Sequence, residues 1–324
     1  MTPPARTTFV ASLALAILGT AFEEASTQGF PADACSAFGV LVMAHGGTPE
    51  WDAAIAEAVA PLARERPTAI AYGMADPATL SGALDSLRAD GVERVAVVRM
   101  FVSGASFLDQ TEYLLGLSDV PPAFFIPSHG PHAGGPGGDG AAPGGPPPAI
   151  AHGLRVATHL HGMVDAEETQ RIFADRALAL SRDPARESVL LIAHGMGDPE
   201  ENDELLAAMG GIEREVAKTA FHSVRSATLR EDWPPARQVA EREIRAFVEG
   251  ENQAGRRVLV LPVRLSGFGP YAEVLAGLEY TAGEALLPHA DASRWLRRAA
   301  DSIARAEGWV GAPDEASCMA ASVD

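Results

Sequence analysis

Two apolar runs of strand length, Val40–Ala44 and Val189–Ala193, both end in Ala-His-Gly, and each leads within a few residues into Pro-Glu and a helix-like pattern. An unbroken apolar run is how a parallel strand buried on both faces reads. The histidines that follow, His45 and His194, stand where strand gives way to loop, the edge at which open α/β sheets bind ligands. Matching contexts 149 residues apart point to a duplicated α/β half-domain.

From Val40 onward the pattern alternates between the two periods. Strands are expected at 40–44, 68–72, 94–102 and 123–126, with helices at 49–64, 77–90 and 107–117. Pro49 opens the first helix, and Asp76-Pro77 reads as N-cap and first helical residue of the second. The second half repeats the alternation, with strands at 154–160, 188–193, 222–229, 257–263 and 285–287. Its helices fall at 166–181, 200–217, 234–249, 271–278 and 292–306. Strand and helix in alternation predict parallel sheets with right-handed crossovers. The fold class read from the pattern is α/β, with two flavodoxin-like half-domains related by duplication.

Between the halves, 14 of the 19 residues from Gly130 to Pro148 are Gly or Pro, a composition that sustains neither helix nor central strand. The expected organisation is an N-terminal segment over 1–38, a first half over 39–128, a linker over 129–150, a second half over 151–308 and a tail over 309–324. Residues 1–38 differ from the rest. Arg6 precedes an uncharged stretch with an apolar core from Phe9 to Leu18, followed by Gly19-Thr-Ala21. That order reads as a secretory signal and predicts export; a misassigned start codon would instead leave the protein cytoplasmic.

Charge narrows the partners. The formal net charge is −18, the pI about 4.9, and Lys218 is the sole lysine. No basic patch is available to neutralise phosphates, which excludes nucleic acid and anionic membrane surfaces as partners. Cys35 and Cys318 are the only cysteines and form no Cys-x-x-Cys, so zinc-ribbon and iron–sulfur sites are excluded. A disulfide between them requires an oxidising compartment.

His45 and His194 are the leading candidates for chemistry, as metal ligands and proton acceptors. Arg99 and Arg264 end strands and are each followed closely by Ser-Gly; a cleft arginine suits a carboxylate-rich substrate through bidentate pairing. Weaker candidates are Gln110, Glu112, Tyr271 and Glu273 after the loops, His159 and His161 at a strand end, His129 and His132 in the linker, and His289 at a turn. A histidine phosphatase needs Arg before His-Gly, where Ala44 and Ala193 stand. Gly104-Ala-Ser106-Phe-Leu108 breaks the nucleophile-elbow pattern, and neither dinucleotide glycines nor a Walker lysine is present. No organic cofactor is expected.

Ala-His-Gly after a buried strand, with Pro-Glu and a helix behind it, resembles the class II chelatases of tetrapyrrole biosynthesis, the sirohydrochlorin cobalto- and ferrochelatases of the CbiX and SirB type. Ala71-Tyr-Gly-Met-Ala-Asp-Pro77 and Asp90-Gly-Val-Glu-Arg-Val-Ala-Val-Val98 add to the likeness. It covers about residues 39–127 and 187–305. The resemblance implies a bilobal fold, a tetrapyrrole partner, a divalent cobalt or iron ion as substrate, and insertion of that ion into sirohydrochlorin. It places the first metal-binding, proton-accepting histidine at His45 and at His194. The family's second histidine, expected as Gly-x-His in the loop after the third strand, falls on Ser106 in one half and Gly269 in the other. Ser106 is therefore a substrate-binding candidate with Arg99 and Arg264. A non-catalytic, exported metal- or tetrapyrrole-binding protein is the alternative expectation.

Overall fold

The computed structural model describes residues 38–123, 125 and 146–310. The segment up to residue 37 expected to be a secretory signal, Cys35, Cys318, and His129 and His132 lie outside the described residues. The first half contributes β1 (Gly39–Ala44), α1 (Pro49–Ala63), β2 (Thr68–Tyr72), α2 (Pro77–Ala89), β3 (Arg94–Met100), α3 (Leu108–Leu114), β4 (Arg155–Thr158) and α4 (Glu167–Leu180). The second contributes β5 (Glu187–Ala193), α5 (Pro199–Ala217), β6 (Ser223–Thr228), α6 (Pro234–Gln253), β7 (Arg257–Val263), α7 (Tyr271–Val274), β8 (Thr281–Ala282) and α8 (Ala290–Ala306).

Two four-stranded parallel sheets result, ordered β2-β1-β3-β4 and β6-β5-β7-β8. β1 and β5 lie inside their sheets and are buried at every position, which is why Val40–Ala44 and Val189–Ala193 are continuously apolar. The helices behind them start as expected. The Thr48 side chain caps Trp51 N–H, Asp198 caps the N–H groups of Glu200 and Glu201, and Pro49 and Pro199 take the first helical position.

The duplication extends to single hydrogen bonds. Gly73 N donates to Ala44 O, and Leu229 N to Ala193 O, both at 2.9 Å. Met163 N and Val164 N donate to Phe101 O and Val102 O; Leu286 N and Leu287 N donate to Arg264 O and Leu265 O.

Each half also lends its last helix to the other. α4 follows a strand of the first sheet yet packs on α5 and β7, whereas α8 closes the second half yet packs on α1 and β3. The exchanged helices bury a shared core that includes Ile172 and Phe173 of α4 and Trp295, Leu296, Ala299, Ala300 and Ile303 of α8, at the three-and-four spacing of one helix face. Arg298 clasps Glu168 in a two-pronged pair at 2.8 and 2.7 Å across this contact. Burial opposes ionisation of Glu168, but Arg298 outweighs it and holds the carboxyl below its usual range. Arg298→Met leaves that carboxylate only the more distant Arg171, 4.0 Å away, and is expected to cost about 1.5–3 kcal/mol. The measurement is the urea midpoint at neutral pH, where no change would deny the pair a role.

Three expectations are corrected. The strand beside β3 is β4, from beyond the linker, and not 123–126: Arg94–Val97 pair with Arg155–Thr158. The run placed at the start of the second half therefore completes the first sheet. Phe38, assigned to the N-terminal segment, and Trp309, assigned to the tail, are both buried, with ring centroids 6.1 Å apart. The last strand is Thr281–Ala282 instead of 285–287, because Leu286 and Leu287 run on to bond the loop after β7.

Candidate functional site

β1 and β5 deliver His45 and His194 to the carboxyl edges of their sheets. The next residue turns the chain sharply, with φ +66° at Gly46 and +90° at Gly195, in the region that favours glycine. Close approach enforces the same choice: a Cβ on Gly195 would lie 2.8 Å from Arg230 N and 3.0 Å from Thr228 Cβ. The following helix ties each loop down. Asp52 accepts from Gly47 N at 2.9 Å, and Asn202, its equivalent, accepts from Met196 N at 3.1 Å.

The side chains around the histidines then differ. His45 is exposed, its Nδ1 is 2.7 Å from Gly46 O, and its ring stacks on Trp51 at 5.5 Å and 20°. His194 has Nδ1 at 2.9 Å from Gly195 O and Nε2 at 3.1 Å from Asp232, with the Trp233 ring edge-on at 5.8 Å and 90°. Burial disfavours the charged His194, but the Asp232 carboxylate and the Gly195 carbonyl outweigh it and raise its pKa above the ordinary imidazole value. Bonding to His194 lowers that of Asp232. The pair's contribution to stability is therefore present below the unfolded-state pKa of His194. It fades as pH rises through the higher folded value, and at the acid end as Asp232 takes up a proton. Asp232→Asn is expected to lower the His194 pKa, read by NMR titration of the ring; an unchanged value would sever the pair.

The two histidines share no partner among the described residues: Gly46 and Trp51 surround one, Gly195, Asp232 and Trp233 the other. Sequence reasoning missed Asp232. Its signal lies in strand order, since the loop after β6 must pass beside the end of β5.

Arg99 has a different task from the expected one. It is 1% exposed and donates to Ser106 O at 2.9 Å, Gly104 O at 2.7 Å and His159 O at 2.9 Å. Burial lowers its pKa to about 10, so it keeps its charge at neutral pH. Arg99 thus holds the loop after β3 against the end of β4 and is not offered to a substrate carboxylate. Ser106 is a half-buried part of that loop, its carbonyl taken by Arg99. Nor is Arg264 the equivalent of Arg99. Ala44 pairs with Met100 and Ala193 with Val263, so Arg99 matches Pro262 and Arg264 matches Phe101, two residues beyond Arg99. It pairs with Glu231 and lies 5.8 Å over the Tyr271 ring.

The weaker candidates fall mostly into structural places. Gln110 is buried and donates to Ala75 O at 3.1 Å. His289 caps α8 by accepting from Asp291 N. Glu273 is exposed on α7, Glu112 is half-buried, and Tyr271 is fully buried. β4 ends at Thr158, so His159 and His161 escape strand alternation: His159 packs edge-on against Trp295 and His161 is exposed. Burial, then Arg99, lowers the His159 pKa to about 4. Among the described residues no three His, Cys, Asp or Glu side chains converge as a metal cage.

Solved structures with this architecture exist. The structure of SirB from Bacillus subtilis with Fe3+ superposes with a TM-score of 0.59 at 14% identity, covering 83% of this chain and 97% of that one. The sirohydrochlorin chelatase SirB from Bacillus subtilis subspecies spizizenii in complex with cobalt gives 0.54 at 12% identity, with the same coverage. The chain has a chelatase-like fold. No protein-family model and no curated protein matches the sequence.

Proposed function

We propose that the protein inserts a divalent ion, cobalt or iron, into a tetrapyrrole of the sirohydrochlorin class, with His194 and Asp232 as the working groups. The observation that carries this reading is the pair itself, two bases in contact at the carboxyl edge of the second sheet. Two ligand atoms each about 2.1 Å from a metal and subtending 90–109° lie about 3.0–3.4 Å apart. The 3.1 Å between Nε2 and the Asp232 oxygen falls within that span. Insertion also releases two protons from the ring nitrogens for each ion that enters. As the ion passes to the ring nitrogens it leaves His194 Nε2 and the Asp232 oxygen, and these freed lone pairs take up the two ring protons, so metal entry and proton departure are coupled. Two protein ligands leave the other coordination positions to water, which the macrocycle nitrogens replace. A closed cage would hold the ion back.

The fold likeness supports this reaction class, and the similar SirB structures are described with Fe3+ and with cobalt. Arg264, whose charge is felt at Asp232, is a candidate cation for an acidic substrate, with Glu231 as its present partner. One observation favours the second reading, a non-catalytic exported binding protein: Ser106 and Gly269 occupy the places of the second histidines. Incubation with sirohydrochlorin and Co2+ or Fe2+, followed by absorbance, separates the two. Acceleration over the spontaneous reaction is expected; binding without acceleration would leave the second reading.

A further inference from the structure

We infer, granting His194 and Asp232 the role proposed for them, that Arg230 is the positioning residue of the pair: it holds the loop after β6 against the loop after β5, so that the Asp232 carboxylate reaches His194 Nε2. Loop length, backbone conformation and side-chain bonding each support this role.

The loop after β6 is one residue longer than its counterpart after β2. Gly73 N and Leu229 N make the same bond, to Ala44 O and Ala193 O, which aligns the starts of the two loops. Their ends align at the helix N-caps, Asp76 before α2 and Trp233 before α6, so 73–76 stands against 229–233. In the first half the acid occupies the cap and serves there, Asp76 accepting from Thr79 N at 2.8 Å. In the second half Trp233 takes that position without a side-chain cap, and Asp232, one residue earlier, meets His194 instead.

The backbone of Arg230 has φ +55°, the left-handed region that side chains other than glycine rarely adopt. It lies directly on the turn that carries the histidine. A Cβ on Gly195 would be 2.8 Å from Arg230 N and 3.0 Å from its Cγ, and Glu231 N donates to His194 O at 3.2 Å. The left-handed residue of the first loop, Ala75, stands immediately before the N-cap, and Gln110 of α3 holds its carbonyl.

The Arg230 side chain completes the tie. Nε donates to Met196 O at 2.8 Å and Nη2 donates to Gly197 O, both in the loop that follows His194. Asp232 is exposed and, among the described residues, bonds only His194, so its own contacts do not fix where it points. Arg237 and Arg264 also hold this loop, through Glu231, but they tie it to α6 and to the loop after β7.

Arg230→Gly tests the role. Glycine adopts φ +55° freely, so the variant keeps an allowed backbone and loses the guanidinium. Its urea midpoint should stay close to the parent's, and in metal-free crystals Asp232 should lie beyond hydrogen-bonding distance of His194 Nε2. Titration of the full chain with Co2+, followed by visible absorption, should show affinity weakened about ten-fold, as residues that orient metal ligands typically do when lost. Asp232→Ala should weaken it as much, and the double variant no further, because Arg230 acts through Asp232. Arg230→Lys, a single ammonium facing two carbonyls, should recover part of the affinity. Asp232 still on His194 in the Arg230→Gly crystals, losses that add in the double variant, or a collapsed urea midpoint would overturn the inference. A parent without any Co2+ response would end the metal reading, and the crystal distance would then decide the positioning role alone. A failed insertion assay alters neither readout.

Discussion

Gly162→Ala is expected to leave little folded protein. The φ at Gly162 is −87°, which alanine adopts freely, so the effect is steric. A Cβ there would lie 2.3 Å from Val102 O and 2.4 Å from Gly104 N, both backbone atoms without a rotamer to yield. Gly104 faces the same contact from the other side, its Cβ position 2.2 Å from Leu160 O. The loops after β3 and β4 thus meet backbone to backbone, with Arg99 bonded to both. Separating them breaks those bonds around a buried guanidinium. The cost should exceed about 4 kcal/mol, a large part of the stability of an ordinary domain. Soluble yield and urea unfolding measure it; a variant within about 1 kcal/mol of the parent would refute the close contact.

The second large effect concerns chemistry. His194→Ala removes both the metal ligand and the proton acceptor that the proposed reaction requires, and Asp232 alone offers one oxygen ligand and a weaker base. Loss of a group serving both tasks is expected to slow insertion at least 100-fold, since general-base assistance alone contributes about 10²–10⁴. Asp232→Asn should slow it less at neutral pH and move the pH dependence. The carboxylate raises the His194 pKa, so its removal lowers the pH above which the imidazole is free to accept a proton.

Much of this architecture is legible from periodicity. β1 and β5 read as buried parallel strands because both faces of their sheets are covered, and Pro49 and Pro199 mark the helices behind them. The fourth strand of the first sheet was not legible. The Gly/Pro-rich stretch reads as a domain boundary, and nothing local in Arg155–Thr158 tells which sheet it will join. Helix exchange is hidden for the same reason, since an amphipathic face such as that of α8 specifies burial without naming the partner. Within the site, His45 and His194 stood out because the sequence repeats them. Arg99 and Arg264 looked equivalent by their Ser-Gly neighbours, yet strand register separates them by two residues, so one is buried in the sheet and the other sits in the loop beside an acid. Asp232 is one carboxylate among the 43 acidic residues, and only the adjacency of β5 and β6 gives it meaning.

The most direct test of the central claim is the initial rate of cobalt insertion into sirohydrochlorin, measured with the parent protein and with His194→Ala at one pH. The proposed function predicts acceleration over the spontaneous rate by the parent and a fall toward that rate in the variant. A parent no faster than the spontaneous reaction, or a variant as fast as the parent, would contradict it.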